Sequence, residues 1–132
     1  VKLTKGYKIL IEEARAKIRT FSLQEAKLAY DNNSHLIIDI RDIREIDREG
    51  LIPGAIHVPR GMLEFWVDPE SPYFKAELQS DKPFLLYCQS AWRSSLAAAT
   101  LVDMGLTDTA HIEGGYRAWR AATLPTAPRA QR

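Results

Sequence analysis

Phe84-Leu85-Leu86-Tyr87-Cys88-Gln89-Ser90-Ala91-Trp92-Arg93-Ser94-Ser95-Leu96-Ala97-Ala98-Ala99-Thr100-Leu101 is the stretch that decides the fold. Its first four residues are an apolar run that predicts a buried strand. Residues 93–101 predict a helix, and its alanines permit close approach to a sheet. A short loop, residues 88–93, joins the two. Cys88 is the chain's only cysteine and stands at the end of the strand, facing the start of the helix. The free N–H groups and positive dipole end of that helix, with Arg93 beside them, favour thiolate over thiol. The competing reading is a buried structural cysteine, a common fate of the residue. A structural cysteine has no need of a strand end followed by an arginine at a helix start.

Strand and helix signals alternate on both sides of this unit. Tyr7, Leu10, Ile11, Ala14 and Ile18 recur at helical spacing and predict an amphipathic helix over residues 5–19. Ser22-x-x-Glu25 is a capping-box signature opening a second helix to about Tyr30. Leu36-Ile37-Ile38-Asp39-Ile40 reads as a parallel strand covered on both faces. Ile52-Pro53-Gly54 turns into a short strand, residues 55–58. Residues 61–66 and 73–79 each predict a short helix. After the cysteine unit, the helix is expected to bury Ala97, Ala98, Leu101 and Met104, and Gly105 stops it. Residues 109–112 predict a last strand, and Gly114-Gly115 lead into a final helix carrying Tyr116 and Trp119. The domain division is then an N-terminal amphipathic helix over 1–20, an α/β domain over 21–124, and a poorly ordered tail over 125–132. The architecture predicted is α/β: a mostly parallel central sheet flanked by helices on both faces. Ligands of such sheets bind beyond the carboxyl ends of the strands, the edge that Cys88 occupies.

The chain has 132 residues, 45% hydrophobic and 27% charged, which is enough for one domain with a proper core. A net charge of +1 argues for neither nucleic acid nor membrane as a partner. A single cysteine forms no internal disulfide and no C-x-x-C redox pair, so any resolving thiol must come from another molecule. His35, His57 and His111 are isolated from one another, so no metal site and no cofactor are expected. No apolar stretch approaches the ~20 residues of a membrane span. A reactive lone thiol fits a reducing compartment, so the cytoplasm is the expected location. Val1 is not a methionine, which leaves a trimmed targeting segment open.

A loop closing from strand to helix points successive N–H groups inward, and such a nest binds an anion. Here that anion is the sulfur, and Gln89, Ser90, Ala91, Trp92, Arg93 and Ser94 form the cradle around it. The segment Cys88-Gln89-Ser90-Ala91-Trp92-Arg93-Ser94 resembles the C-x-x-G-x-R-S loop of the rhodanese family of sulfurtransferases. Asp39-Ile40-Arg41 resembles its D-x-R after the first core strand. Gly50-Leu51-Ile52-Pro53-Gly54-Ala55 resembles its G-H-I-P-G-A turn, and Gly114-Gly115 through Trp119 its closing G-G-x-x-x-W. The four motifs stand in the family's order over roughly residues 20–122. The resemblance implies a single-domain rhodanese fold and a ping-pong sulfur transfer. Cys88 takes the outer sulfur of a donor such as thiosulfate, and a thiol or cyanide acceptor removes it. A protein acceptor would serve as well as a small thiol. Two positions depart from the pattern. Ala91 stands in place of glycine and carries strain if the loop needs φ > 0 there. Leu51 replaces the usual histidine of the turn and is read as neutral.

Arg60 and Trp66 are further pocket candidates, against a solvated arginine and a core tryptophan. Asp39 and Arg41 read as a buried pair that supports the following loop. Trp92 is expected at the pocket rim, Trp119 in the core, and His57 in a structural role. Ser94 and Ser95 could bond the loop backbone or merely cap the helix. Two other functions compete. A cysteine phosphatase or arsenate reductase also uses a thiolate in an anion cradle before an arginine, but phosphatases place five residues between the two. Only four intervene here, Gln89 to Trp92. The second is a non-catalytic interaction module on the same fold.

Overall fold

The computed structural model describes residues 1–129. Among them, five parallel strands form one sheet in the order β1-β5-β4-β2-β3, with six α-helices around it. The central strand is β4 (Phe84–Tyr87), buried at every position. It pairs with β2 (Leu36–Asp39) from Leu36↔Phe84 to Asp39↔Tyr87. On its other side lies β5 (Ala110–Ile112). The edges are β1 (Arg19–Phe21) and β3 (Ile56–His57).

Alternation along the strands sorts the core into two layers. Leu85 and Tyr87 pack with Phe21, Ile37 and Ile112 beneath α2 (Leu23–Asn32) and α6 (Gly115–Ala121), which supply Ala26, Ala29, Tyr116 and Trp119. Phe84, Leu86 and Cys88 point the other way. They meet Leu63 of α4 (Leu63–Val67) and Ala97, Ala98 and Leu101 of α5 (Trp92–Asp103). Helices therefore cover both faces, which explains why β4 and the first three residues of β2 are continuous apolar runs. Trp119 is fully buried, as its helix position predicts.

α1 (Tyr7–Lys17) lies along α5. Tyr7 meets Trp92 at one end of the pair, and Lys17 reaches Asp103 at the other. The helix predicted over 5–19 thus stops at Lys17, because Arg19 pairs with Ala110 and opens β1. The predicted boundary at residue 20 falls inside that strand.

α3 (Ile43–Glu49) was not among the predicted elements, although Asp42-x-x-Glu45 closes a full capping box at its start. The helix predicted over 61–66 begins as a 3-10 turn at Arg60–Met62 and continues as α4. That predicted over 73–79 shrinks to the 3-10 turn Ala76–Leu78. Met104 caps α5 and is 43% exposed, so it does not join the core.

The predicted disorder from Pro125 is corrected through Arg129. Leu51 and Ala127 exchange backbone bonds of 2.8 and 2.9 Å, and Trp119 Nε1 donates to the Pro125 carbonyl at 2.7 Å. Arg129 reaches Asp47 at 2.7 Å. Residues 130–132 of that prediction lie outside the described residues. Among the described residues, no helix is long and apolar enough to cross a membrane.

Candidate active site around Cys88

Cys88 directly follows β4, and its Sγ accepts two backbone hydrogen bonds. One comes from Ala91 N at 3.2 Å and one from Ser94 N at 3.3 Å. The residue is 1% exposed, more enclosed than a loop open to solvent would leave it. A cysteine that served packing alone would not need two amides directed at its sulfur.

The turn that aims those amides depends on Ala91, the N-cap of α5, at φ +87° and ψ −6°. An alanine in this left-handed region costs about 1–2 kcal/mol. The strain foreseen for alanine at this position is therefore present. On the far side of the loop, the carbonyls turn toward α6. Tyr116 N donates to Cys88 O at 2.8 Å and Arg117 N to Gln89 O at 3.1 Å. Gly115 makes this approach feasible: at φ +61°, an added Cβ would stand 2.5 Å from Cys88 O. With carbonyls held outward and amides inward, the loop is an N–H nest around the sulfur.

Arg93 does not point its charge at the sulfur unopposed. Its Nη1 and Nη2 donate to both carboxylate oxygens of Glu45, at 2.7 and 2.9 Å. This hydrogen bonding holds the Glu45 carboxyl below the usual carboxylate range and raises the Arg93 guanidinium in turn. The pair ties the start of α5 to the start of α3.

Asp39 and Arg41 are fully buried and paired, Nη2 to Oδ2 at 2.7 Å. The guanidinium lies 4.1 Å from the centre of the Tyr116 ring. It also donates to Gln89 Oε1 at 3.1 Å and to the Gly50 carbonyl at 2.7 Å. Gln89 passes on to Glu49 Oε1 at 3.1 Å. The pair thus grips the outer side of the loop through Gln89. His57 donates Nε2–H to the Arg41 carbonyl at 2.7 Å.

Ser94 and Ser95 both bond the loop backbone: Ser94 Oγ donates to Ala91 O at 3.2 Å and Ser95 Oγ to Trp92 O at 2.7 Å. Ser94 Oγ also lies 2.9 Å from His111 Nδ1. Burial, aided by the charge of Arg15, pushes the His111 ring down to about 4, so it is neutral at pH 7. Ser90 is exposed. Trp92 is 57% exposed, with its ring centre 5.0 Å from that of Tyr7.

Arg60 and Trp66 do not hydrogen-bond to loop residues 88–94. The Arg60 guanidinium meets Glu64 at 2.9 Å and Thr100 at 3.5 Å, in the last turn of α5. Trp66 carries Lys75 Nζ 4.9 Å above its ring and lines a surface cavity of about 460 Å³ with Tyr73 and Phe74. A cavity of about 520 Å³ lies at the opposite end of the strands, around Pro83 and Thr109. Glu45, Glu49 and His111 were missed as site residues. Only Glu45 had a local signal, its place in the Asp42 capping box.

A parallel α/β sheet with a cysteine at the carboxyl edge of its central strand, cradled by the amides of a tight loop, defines a class of thiol-centred anion sites. The family model described as a rhodanese-like domain matches residues 22–122, and the chain belongs to the rhodanese family. A sulfurtransferase of Allochromatium vinosum is 32% identical over 95 residues, 72% of this chain and 80% of that protein. Among solved structures, a Rhodopseudomonas palustris protein of unknown function, described as a possible tyrosine phosphatase, is 47% identical. It superposes with a TM-score of 0.92 over 96% of this chain and 98% of its own. The polysulfide-sulfur transferase homodimer of Wolinella succinogenes is 29% identical, with a TM-score of 0.74 over 96% of this chain and 90% of its own.

Proposed function

We propose that this chain is a sulfurtransferase that moves a sulfane sulfur from a donor such as thiosulfate to a thiophilic acceptor through a persulfide on Cys88. The observation that carries the reading is the pair of amides on Cys88 Sγ. The Cys88 thiolate attacks the outer sulfur of the donor. A Cys88 S–S bond forms, the donor S–S bond breaks, and sulfite leaves with the electron pair. A thiolate or cyanide then attacks the terminal sulfur, and the pair returns to Cys88 Sγ. The amides stabilise negative charge on sulfur as an oxyanion hole stabilises oxygen. The acceptor is a small thiol or a protein thiol, in a reducing compartment such as the cytoplasm. The names of the Allochromatium and Wolinella relatives support the same chemistry.

The phosphatase reading is favoured by the description of the Rhodopseudomonas structure. Two observations weigh against it. The loop has four residues between Cys88 and Arg93, a cradle sized for one sulfur rather than a tetrahedral oxyanion. Both terminal nitrogens of Arg93 are engaged by Glu45, so the guanidinium offers no free fork to a phosphate. An interaction module without turnover would leave the amide nest unexplained. The test is an assay of thiosulfate with cyanide run beside an aryl phosphate. Thiocyanate formation that is lost in Cys88→Ser, with no phosphate release, is the expected result. Phosphate release without thiocyanate would reverse the assignment.

A further inference from the structure

Ala91 occupies a left-handed conformation for which it is not suited, yet its N–H must stay on the sulfur. Something must hold that residue, because strained backbone persists only where its surroundings over-determine it. Its carbonyl is held twice, by Ser95 N at 3.1 Å and by Ser94 Oγ at 3.2 Å. The Ser94 hydroxyl is itself fixed. It lies 2.9 Å from His111 Nδ1, and His111 Nε2 lies 3.0 Å from Thr20 Oγ1. Ser94 and His111 are both fully buried. The chain of bonds therefore runs from β1 through β5 to the first turn of α5 and ends on the strained residue. Ser94 also donates its backbone N–H to Cys88 Sγ, so one residue links His111 to both amides of the nest.

The single Ser94 hydroxyl hydrogen has two acceptors in reach, Ala91 O and His111 Nδ1, and its choice sets the His111 tautomer. A hydroxyl has one hydrogen, and the Ala91 carbonyl can only accept. With the Ser94 hydrogen on Ala91 O, His111 must donate Nδ1–H to Ser94 Oγ. Its Nε2 then accepts the Thr20 hydroxyl hydrogen.

We propose that His111 is a positioning residue for the sulfur-transfer reaction: in its Nδ1–H form it clamps Ser94 and thereby the left-handed Ala91 that delivers an amide to Cys88. The clamp does for alanine what conformational freedom would do for glycine at that position. His111 does not touch the sulfur. Its contribution falls on the rate of persulfide formation rather than on donor binding, and it shrinks when residue 91 is glycine. Asparagine at 111 keeps a donor close to the Nδ1 position, whereas valine removes it.

The proposal rests on the sulfurtransferase reading for its kinetic arm alone. A long-range proton–nitrogen NMR spectrum of the wild-type protein at pH 7 reads the His111 tautomer directly. Nδ1–H is expected, and an Nε2–H ring overturns the proposal whatever reaction the protein catalyses. In the kinetic arm, persulfide formation from thiosulfate is followed with saturable kinetics. His111→Val is expected to lower kcat at least tenfold with KM within twofold. His111→Asn should recover most of that loss, and adding Ala91→Gly to His111→Val should recover part of it. Iodoacetamide alkylation of Cys88, which needs no sulfur donor, should slow in the same order. If His111→Asn is as slow as His111→Val in alkylation, or Ala91→Gly gives no recovery, the clamp is refuted. If His111→Val does not fold, His111→Asn and the wild-type spectrum decide. An alkylation series in the expected order, with wild-type protein that never turns over thiosulfate, refutes the sulfurtransferase reading and leaves the clamp standing.

Discussion

At the scale of single residues, Cys88 and Arg93 were legible because their signal is local: a strand, a short loop, a helix. Their partners were not. Glu45 lies 48 positions from Arg93, and His111 lies 17 from Ser94, so neither contact exists until the sheet is assembled. His111 has a measurable consequence of its own. Its ring is pushed down to about 4 from the ordinary 6.5, mainly by burial. The unfolded chain therefore takes up this proton first as the pH falls. The contribution to stability is complete above pH 6.5, drains away between pH 6.5 and 4, and is gone below. A shift of that size corresponds to about 3 kcal/mol. Urea midpoints measured across this range should fall more steeply for wild type than for His111→Asn. Parallel curves would mean that the buried ring does not govern acid stability. Ala91 teaches the complementary lesson: the departure from glycine was visible in the sequence, but its left-handed backbone and the bonds that hold it were not.

At the scale of elements, the site is made where β4 ends and two helix starts converge. α5 supplies the amides that face Sγ, and α6 supplies those that hold the opposite carbonyls. Gly115 is the point of closest approach, with no room for a Cβ between it and Cys88 O. Gly115→Ala combines a left-handed backbone with a backbone clash, so a loss of about 2–4 kcal/mol is expected. The urea midpoint measures it, and a change within about 0.5 kcal/mol would show that α6 does not hold the loop so closely. The closing glycine pair was legible in the sequence as a motif; its cause is this contact. Elements with strong local signals were also legible. α2 announced itself by its capping box, and β2 and β4 by apolar runs. β1 did not, because Arg19-Thr20-Phe21 is a strand only by virtue of pairing with β5. α3 carried a capping box too, but its apolar face is short, with only Ile46 buried.

At the scale of the whole molecule, alternating strands and helices fixed the parallel sheet, and the sheet fixed the edge on which a ligand would sit. What lay beyond sequence reading was how the ends of the chain are used. α1 lies against α5 and sets Tyr7 against Trp92 at the loop. Residues 125–129 bond back to Leu51 and Asp47, beside the Gly50 carbonyl that Arg41 holds. The periodicity of α1 marks it as a helix but not where it docks, and residues 125–129 have no local signature, since their structure comes from surfaces assembled elsewhere. In the proposed sulfur transfer, Cys88 carries the transferred sulfur. Intact-protein mass spectrometry after incubation with excess thiosulfate tests it most directly. The mass should rise by one sulfur atom, return to its starting value with dithiothreitol, and stay unchanged in Cys88→Ser. A sulfur adduct that persists in Cys88→Ser, or a wild-type mass that never moves, would contradict it.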